Sequence, residues 1–176
     1  MDKLQTKQEL LAKLTALTSV PDDNNIYLKE KVKKALLKSP ELLYAFHNLD
    51  LEDTELFNPD GTINYDGDWT MYYGEEGNIH PHFYLPNTQD KVRHHLCFKT
   101  EFTDIPKYNQ IMCYMNVTFL VMVDVRDAID PLTGITRHDL IGSIIRDRFN
   151  WSNIFGAHCN IVSDKESFTD SNYIIR

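Results

Sequence analysis

The feature that most constrains the fold is a fifteen-residue alternation, Ile111 to Val125. Its odd positions read Ile, Cys, Met, Val, Phe, Val, Val and Val, while its even positions include Tyr114, Asn116, Thr118 and Asp124. Period-two patterning of this length is a β-strand with one face turned to a core. At about 3.3 Å per residue it would run about 50 Å, more than a small sheet can cover, so part of it is expected to bend or project from the body. A second alternation from Val92 sets Val92, His94, Leu96, Phe98 and Phe102 against Arg93, His95, Lys99 and Glu101. It predicts an antiparallel partner across the Ile105–Asn109 connection. A short strand, His80 to Leu85, precedes it and ends at Pro86.

Helical signals flank this sheet. Leu4, Leu10, Leu11, Leu14 and Leu17 recur at spacings of three, four and seven. A second helix from Ile26 to Leu37 would turn Ile26, Val32, Ala35 and Leu36 inward, with its lysines on a solvated face. Ser39-Pro40-Glu41 places an N-cap and a first-turn proline ahead of Leu42, Leu43 and Phe46. Near the C-terminus, Thr136-x-x-Asp139 resembles a capping box. It opens a helix from Arg137 to Phe149 whose inner face is Leu140, Ile141, Ile144, Ile145 and Phe149. Strands are expected at His158–Ser163 and from Tyr173. The order predicts a single α+β domain over 1–176: N-terminal helices (1–47), an acidic excursion (50–78), and a core (79–176) of mainly antiparallel sheet, with one amphipathic helix inserted before the last strands.

Charge is concentrated. Residues 50–76 hold nine acids and no Lys or Arg; without them the chain carries 18 basic and 17 acidic residues, against a whole-chain net charge of −8. An acidic balance excludes general nucleic-acid binding, which requires cations to displace counterions. The segment is too long for an ordinary connection. Tyr65, Trp69, Met71, Tyr72 and Tyr73 imply that its second half docks on this domain or on a neighbouring subunit. Three scattered cysteines, 97, 113 and 159, suit thiols in a reducing compartment. The N-terminus is no signal peptide, no apolar run reaches bilayer length, and the sequons at Asn116 and Asn150 lack a secretory context.

No chemical motif emerges. His80-Pro-His82 and His94-His95 could gather at a metal, but Pro81 breaks the strand spacing and adjacent residues face opposite ways, so ordinary surface or interface histidines are the better reading. Aligning Gly67 with the invariant glycine of a calcium loop leaves Thr62 and Tyr73 where the first ligand and the bidentate glutamate belong. Asp-x-Lys and Glu-x-Lys, the second half of a common nuclease motif, do not occur. Phosphate-binding glycine loops and nucleophile elbows are also missing. Arg137-His138-Asp139 reads as helix-start polarity. Asp164 and Glu166 form a turn whose carboxylates would pair with Arg137 or Arg146. The chain is expected to be neither an enzyme nor a holder of a metal or cofactor.

Gly134-Ile-x-Arg-His-Asp-Leu140, Phe149-Asn-Trp-Ser-Asn-Ile-Phe-Gly156, Val162-Ser-Asp-Lys-Glu-Ser167 and Asp170-x-x-Tyr173 resemble a group of small virion proteins of tailed bacteriophages. The likeness runs from Tyr108 to the C-terminus and, less distinctly, over Ser39 to Tyr44. The element order is similar to the tail-terminator and tail-completion fold, although such proteins usually continue with a further strand where this sequence stops. The resemblance implies a ring, commonly a hexamer, at the neck or tail end of the virion. It would be assembled in the host cytoplasm, contact neighbouring neck and tail proteins, meet DNA only in the channel, and touch no membrane. A head-closure or tail-hub component, or a small phage enzyme or regulator, are the alternatives. Trp69, Tyr72, Tyr73, Trp151, Phe155, Arg137, Asp164 and Glu166 are the candidate contact residues.

Overall fold

The computed structural model describes residues 6–17, 25–83, 91–102, 114–154, 159–168 and 173–176. Helices α1 (Lys7–Leu17), α2 (Asn25–Leu37) and α3 (Pro40–Ala45) come first. A single turn, α4 (Leu49–Leu51), runs into a π-helical turn (Glu52–Leu56), and a 3-10 turn follows at Trp69–Tyr72. Strands β1 (Ile79–His80), β2 (His95–Phe102) and β3 (Met115–Asp124) precede helix α5 (Arg137–Phe149), and β4 (Ser167–Phe168) and β5 (Tyr173–Ile175) follow it. The five strands lie in the order β1-β2-β3-β5-β4. Only β1 and β2 are parallel. This is the expected α+β class. Among the described residues no helix is long and apolar enough to cross a membrane.

The alternation in β3 sorts its side chains as its period demands. Odd positions Val117, Phe119, Val121 and Val123 join the main core with Leu96 and Phe98 of β2, Val32 and Leu36 of α2, Leu42, Leu43 and Phe46, and Ile141, Ile145 and Phe149 of α5. Even position Met122 lies on the other face with Cys97, Tyr173 and Ile175. The strand is shorter than the alternation: it has ten residues, and Val125 begins a 3-10 turn and is 41% exposed. β1 reaches only Leu96 and Cys97 of β2, and β5 reaches only Met122 to Asp124 of β3, extended by the backbone pair of Val121 and Arg176. Beyond that point, residues 98–102 and 115–119 pair with each other as a two-stranded ribbon. Residues 111–113 lie outside the described residues.

Several expectations need correction. No strand forms in the described part of His158–Ser163; the ladder is made instead by Ser167–Phe168, which pair with Ile174 and Ile175. Ile26 is exposed, and Leu28 takes the buried place on α2. Thr6 and Glu9 form a true capping box at α1, each side chain bonding the other's backbone N–H at 3.2 and 3.1 Å. At α5 the Thr136 hydroxyl donates to Asp139 instead, so the two side chains satisfy each other and not the helix backbone.

The acidic segment is folded onto the body. Leu56 and Tyr72 are fully buried, Phe57 bridges Ile63, and the Trp69 indole N–H donates to the Glu55 carbonyl at 3.1 Å. Gly67 makes this closure possible, because a Cβ there would stand 2.1 Å from the Glu55 carbonyl oxygen. Gly67→Ala is therefore expected to cost about 1–3 kcal/mol, the usual range for overpacking. A thermal melt would measure the loss, and hydrogen exchange would place it in residues 55–68; an unchanged melt would contradict the close packing.

Candidate functional site

The most concentrated chemistry lies where the turn after α3, the start of β2 and the segment between β3 and α5 converge. The residue after α3 and its cap, His47, has a left-handed backbone, φ +46°, a conformation histidine adopts more readily than most residues. That turn brings its Nδ1 to 2.5 Å from Asp127 Oδ2. His94 approaches the same oxygen through Nε2 at 3.2 Å. Its Nδ1 accepts the Asp124 backbone N–H at 3.2 Å. His94 is therefore the neutral Nε2–H tautomer, and burial, the strongest influence on it, holds its pKa below the ordinary value against the pull of Asp127. Arg137 completes the group. Its Nε lies 3.1 Å from both the Asp127 carbonyl and Oδ2, and its guanidinium reaches Asp130 at 3.4 Å.

Burial would raise the Asp127 carboxyl, but hydrogen bonds from His47 and His94 and the Arg137 charge outweigh it and hold it below the usual range. Asp130 is lowered in the same way: its desolvation is overcome by Thr133 and Arg137. It accepts the Thr133 N–H and hydroxyl at 2.8 and 2.7 Å. Gly134, at φ +69°, lets the chain turn back so that its N–H meets the Asp130 carbonyl at 2.8 Å. Beside the cluster, Glu52 is buried with Oε1 lacking a partner. Burial raises its pKa against the opposing charges of His47 and Arg137.

Chemically, the group can orient an imidazole. Asp127 holds the His47 ring by Nδ1, as the carboxylate of a general-base pair would. What the remaining bonds do is mechanical: Arg137, Asp127 and Asp130 clamp residues 124–137, and Asn48 and Asn78 stitch the same turn to β2 through the His94 carbonyl. Among the described residues no three His, Cys, Asp or Glu side chains are arranged to hold a metal ion. Of the four histidines read as surface or interface groups, only His82 is exposed; His80, His94 and His95 are buried. His94 and His95 do face opposite ways. His95 Nδ1 meets His80 Nε2 at 3.0 Å on the far side of β2.

The candidate contact residues scatter. Arg137, 1% exposed, cannot present a surface, because two buried carboxylates claim its guanidinium. Tyr72 is buried as well, being part of the core that seats the acidic segment. Trp69 and Tyr73 are half-buried, the latter beneath Lys33. Asp164 is engaged within the chain by Arg146 and by a bidentate Arg176, at 2.9 Å through each nitrogen. The Arg176 bonds, over the cost of burial, carry its pKa to about 2. The expected Arg146 partnership is thus found, and Glu166 lies 3.6 Å from His138 instead of at either arginine. Trp151 is 70% exposed at a left-handed turn, φ +58°. Phe155 lies outside the described residues. The sequence reading missed His47 and Asp127 altogether, since nothing local marks residues 80 positions apart as partners.

No curated protein and no solved structure matches the chain. Residues 30–176, which include every side chain of the Asp127 cluster, match the YomW family; the chain belongs to that family and is a phage-related protein.

Proposed function

We propose that this protein is a structural component of a tailed-phage virion that works by assembling into a ring at the neck or tail end, as a terminator or completion protein does, and not by catalysis. The observation that carries the reading is the β2–β3 ribbon. Among the described residues, 98–102 and 115–119 have no strand beside them other than each other, so both ribbon edges offer backbone donors and acceptors. Solitary domains cover or blunt such edges. Here the two edges run in opposite senses at the same height, so a rotated copy could extend the sheet antiparallel, and repetition of a head-to-tail contact closes a ring. The exposed Trp151 supports the same reading. Aromatic side chains are enriched at interface centres.

Native mass spectrometry with negative-stain microscopy tests this. A discrete ring, a hexamer or larger, is the expected result, and a monomer at concentrations of about 100 μM would overturn it. Trp151→Ala should weaken assembly by roughly tenfold or more, in the range of a contact hot spot, while leaving the melting temperature unchanged. A lower melting temperature with intact assembly would assign Trp151 to the fold instead.

A further inference from the structure

Helix α1 is eleven residues long, and a helix that short is marginal in water unless an apolar face is packed. Such a face exists: Leu10, Leu11 and Leu14 share one side at spacings of three and four. They are 44%, 49% and 53% exposed, and every other described side chain from Thr6 to Ala16 is exposed too. The helix also lies ahead of the family match, which begins at residue 30. Glu9 is turned back to cap Thr6, which leaves Lys7 and Lys13 as the cations flanking the leucines.

The surface of opposite character is on the acidic segment. Tyr65, 73% exposed, leans on Trp69 with ring centroids 5.6 Å apart. Glu55 ties down the same turn, its backbone carbonyl accepting the Trp69 indole N–H and its Oε2 the Asp68 backbone N–H at 2.7 Å. The result is an aromatic shelf rimmed by Glu55, Asp66 and Asp68, in a stretch with no lysine or arginine from 50 to 76. Leucines flanked by lysines complement an aromatic shelf flanked by carboxylates in both shape class and charge.

We infer that α1 is an exchange arm: its leucine face docks on the Tyr65–Trp69 shelf of a second copy of this chain, with Lys7 and Lys13 against Glu55, Asp66 and Asp68. This rests on the ring-forming reading above and adds the contact that locks one subunit to the next. The test is zero-length carbodiimide crosslinking of an equal mixture of ¹⁴N- and ¹⁵N-labelled full-length protein, together with the triple variant Leu10→Ser, Leu11→Ser, Leu14→Ser. Because Leu10, Leu11 and Leu14 are all exposed, the variant should melt as the wild type does.

The expected result is crosslinks from Lys7 or Lys13 to the acidic rim that join light and heavy chains, and at least a tenfold weaker self-association in the variant. Crosslinks confined to one isotope, or none to the rim, would overturn the arm. So would unaltered assembly of the variant, and in that case the ring reading stands without it. A wild-type protein that is monomeric throughout would sink both.

Discussion

Arg137→Ala is expected to be among the most damaging single substitutions in this chain, costing about 3–5 kcal/mol, the range for removing one partner of a buried ion pair. The reason is the company left behind. Asp130 is as deeply buried as Arg137 itself, and Asp127 is mostly so. Without the guanidinium, the first retains Thr133 and the Leu132 backbone, and the second the two imidazoles of His47 and His94, with no fixed cation on either. For a chain of this size the loss corresponds to roughly 6–20 °C in Tm. Lysine should recover little, since an ammonium cannot span the Asp127 carbonyl, its carboxylate and Asp130 together. Pairing Arg137→Met with Asp130→Asn should restore part of the loss by removing the stranded charge. Calorimetry of the three variants would decide the matter. A cost under about 1 kcal/mol for Arg137→Ala would show that the cluster holds nothing together.

That cluster marks the limit of what the sequence displays. Elements built on local periodicity were legible: the odd face of β3, the Leu42–Phe46 face, and the Ile141, Ile145 and Phe149 stripe are all core. Each is decided by neighbours within a few positions, where pattern and structure are the same information. Leu10, Leu11 and Leu14 of α1 have an equally clean pattern and are exposed, because periodicity says which face is apolar and not where its partner is. The strand expected at His158–Ser163 failed for a related reason. A short apolar run pairs only if a free edge stands beside it, and the edge of β5 is taken by Ser167 and Phe168.

Polar residues were harder still. Arg137 opens a helix and looks like solvated helix-start polarity, yet the turn at Gly134 and the return of His47 wrap it in two carboxylates and an imidazole. His80, His94 and His95 were misjudged because burial of a polar group depends on what satisfies it. The satisfying groups are far away in sequence: Asp127 for His94, 33 positions on, and His80 for His95, 15 positions back. By contrast, the pairing of Asp164 with Arg146 was legible, since a turn following a helix returns along it.

The His80–His95 pair leads to the second large effect, a loss of stability in mild acid. Burial, reinforced by its neighbour His82, lowers the His80 pKa to about 4; burial, reinforced by His80, lowers that of His95 to about 3. In the unfolded chain both titrate near 6.5. Below pH 6.5 the unfolded state therefore takes up two protons that the folded state refuses, and the stability held at neutral pH drains away until pH falls through about 4 for His80 and about 3 for His95. His94, lowered for the same first reason, acts in the same direction. The paired carboxylates Asp127, Asp130 and Asp164, whose pKa values are depressed, add a further loss only once pH drops below the ordinary carboxylate range. At about 1.4 kcal/mol per unit per group, and allowing for the pair sharing one proton, the fold should be about 2–4 kcal/mol weaker at pH 5 than at pH 7.5. Denaturant melts at the two pH values measure this directly. A double variant, His80→Gln with His95→Gln, should remove most of the dependence between pH 7.5 and 5, leaving the part His94 contributes and the carboxylate loss below pH 4. If the wild type is equally stable at pH 7.5 and 5, the two imidazoles are not held neutral by burial, and the packing of the sheet's second face is other than described.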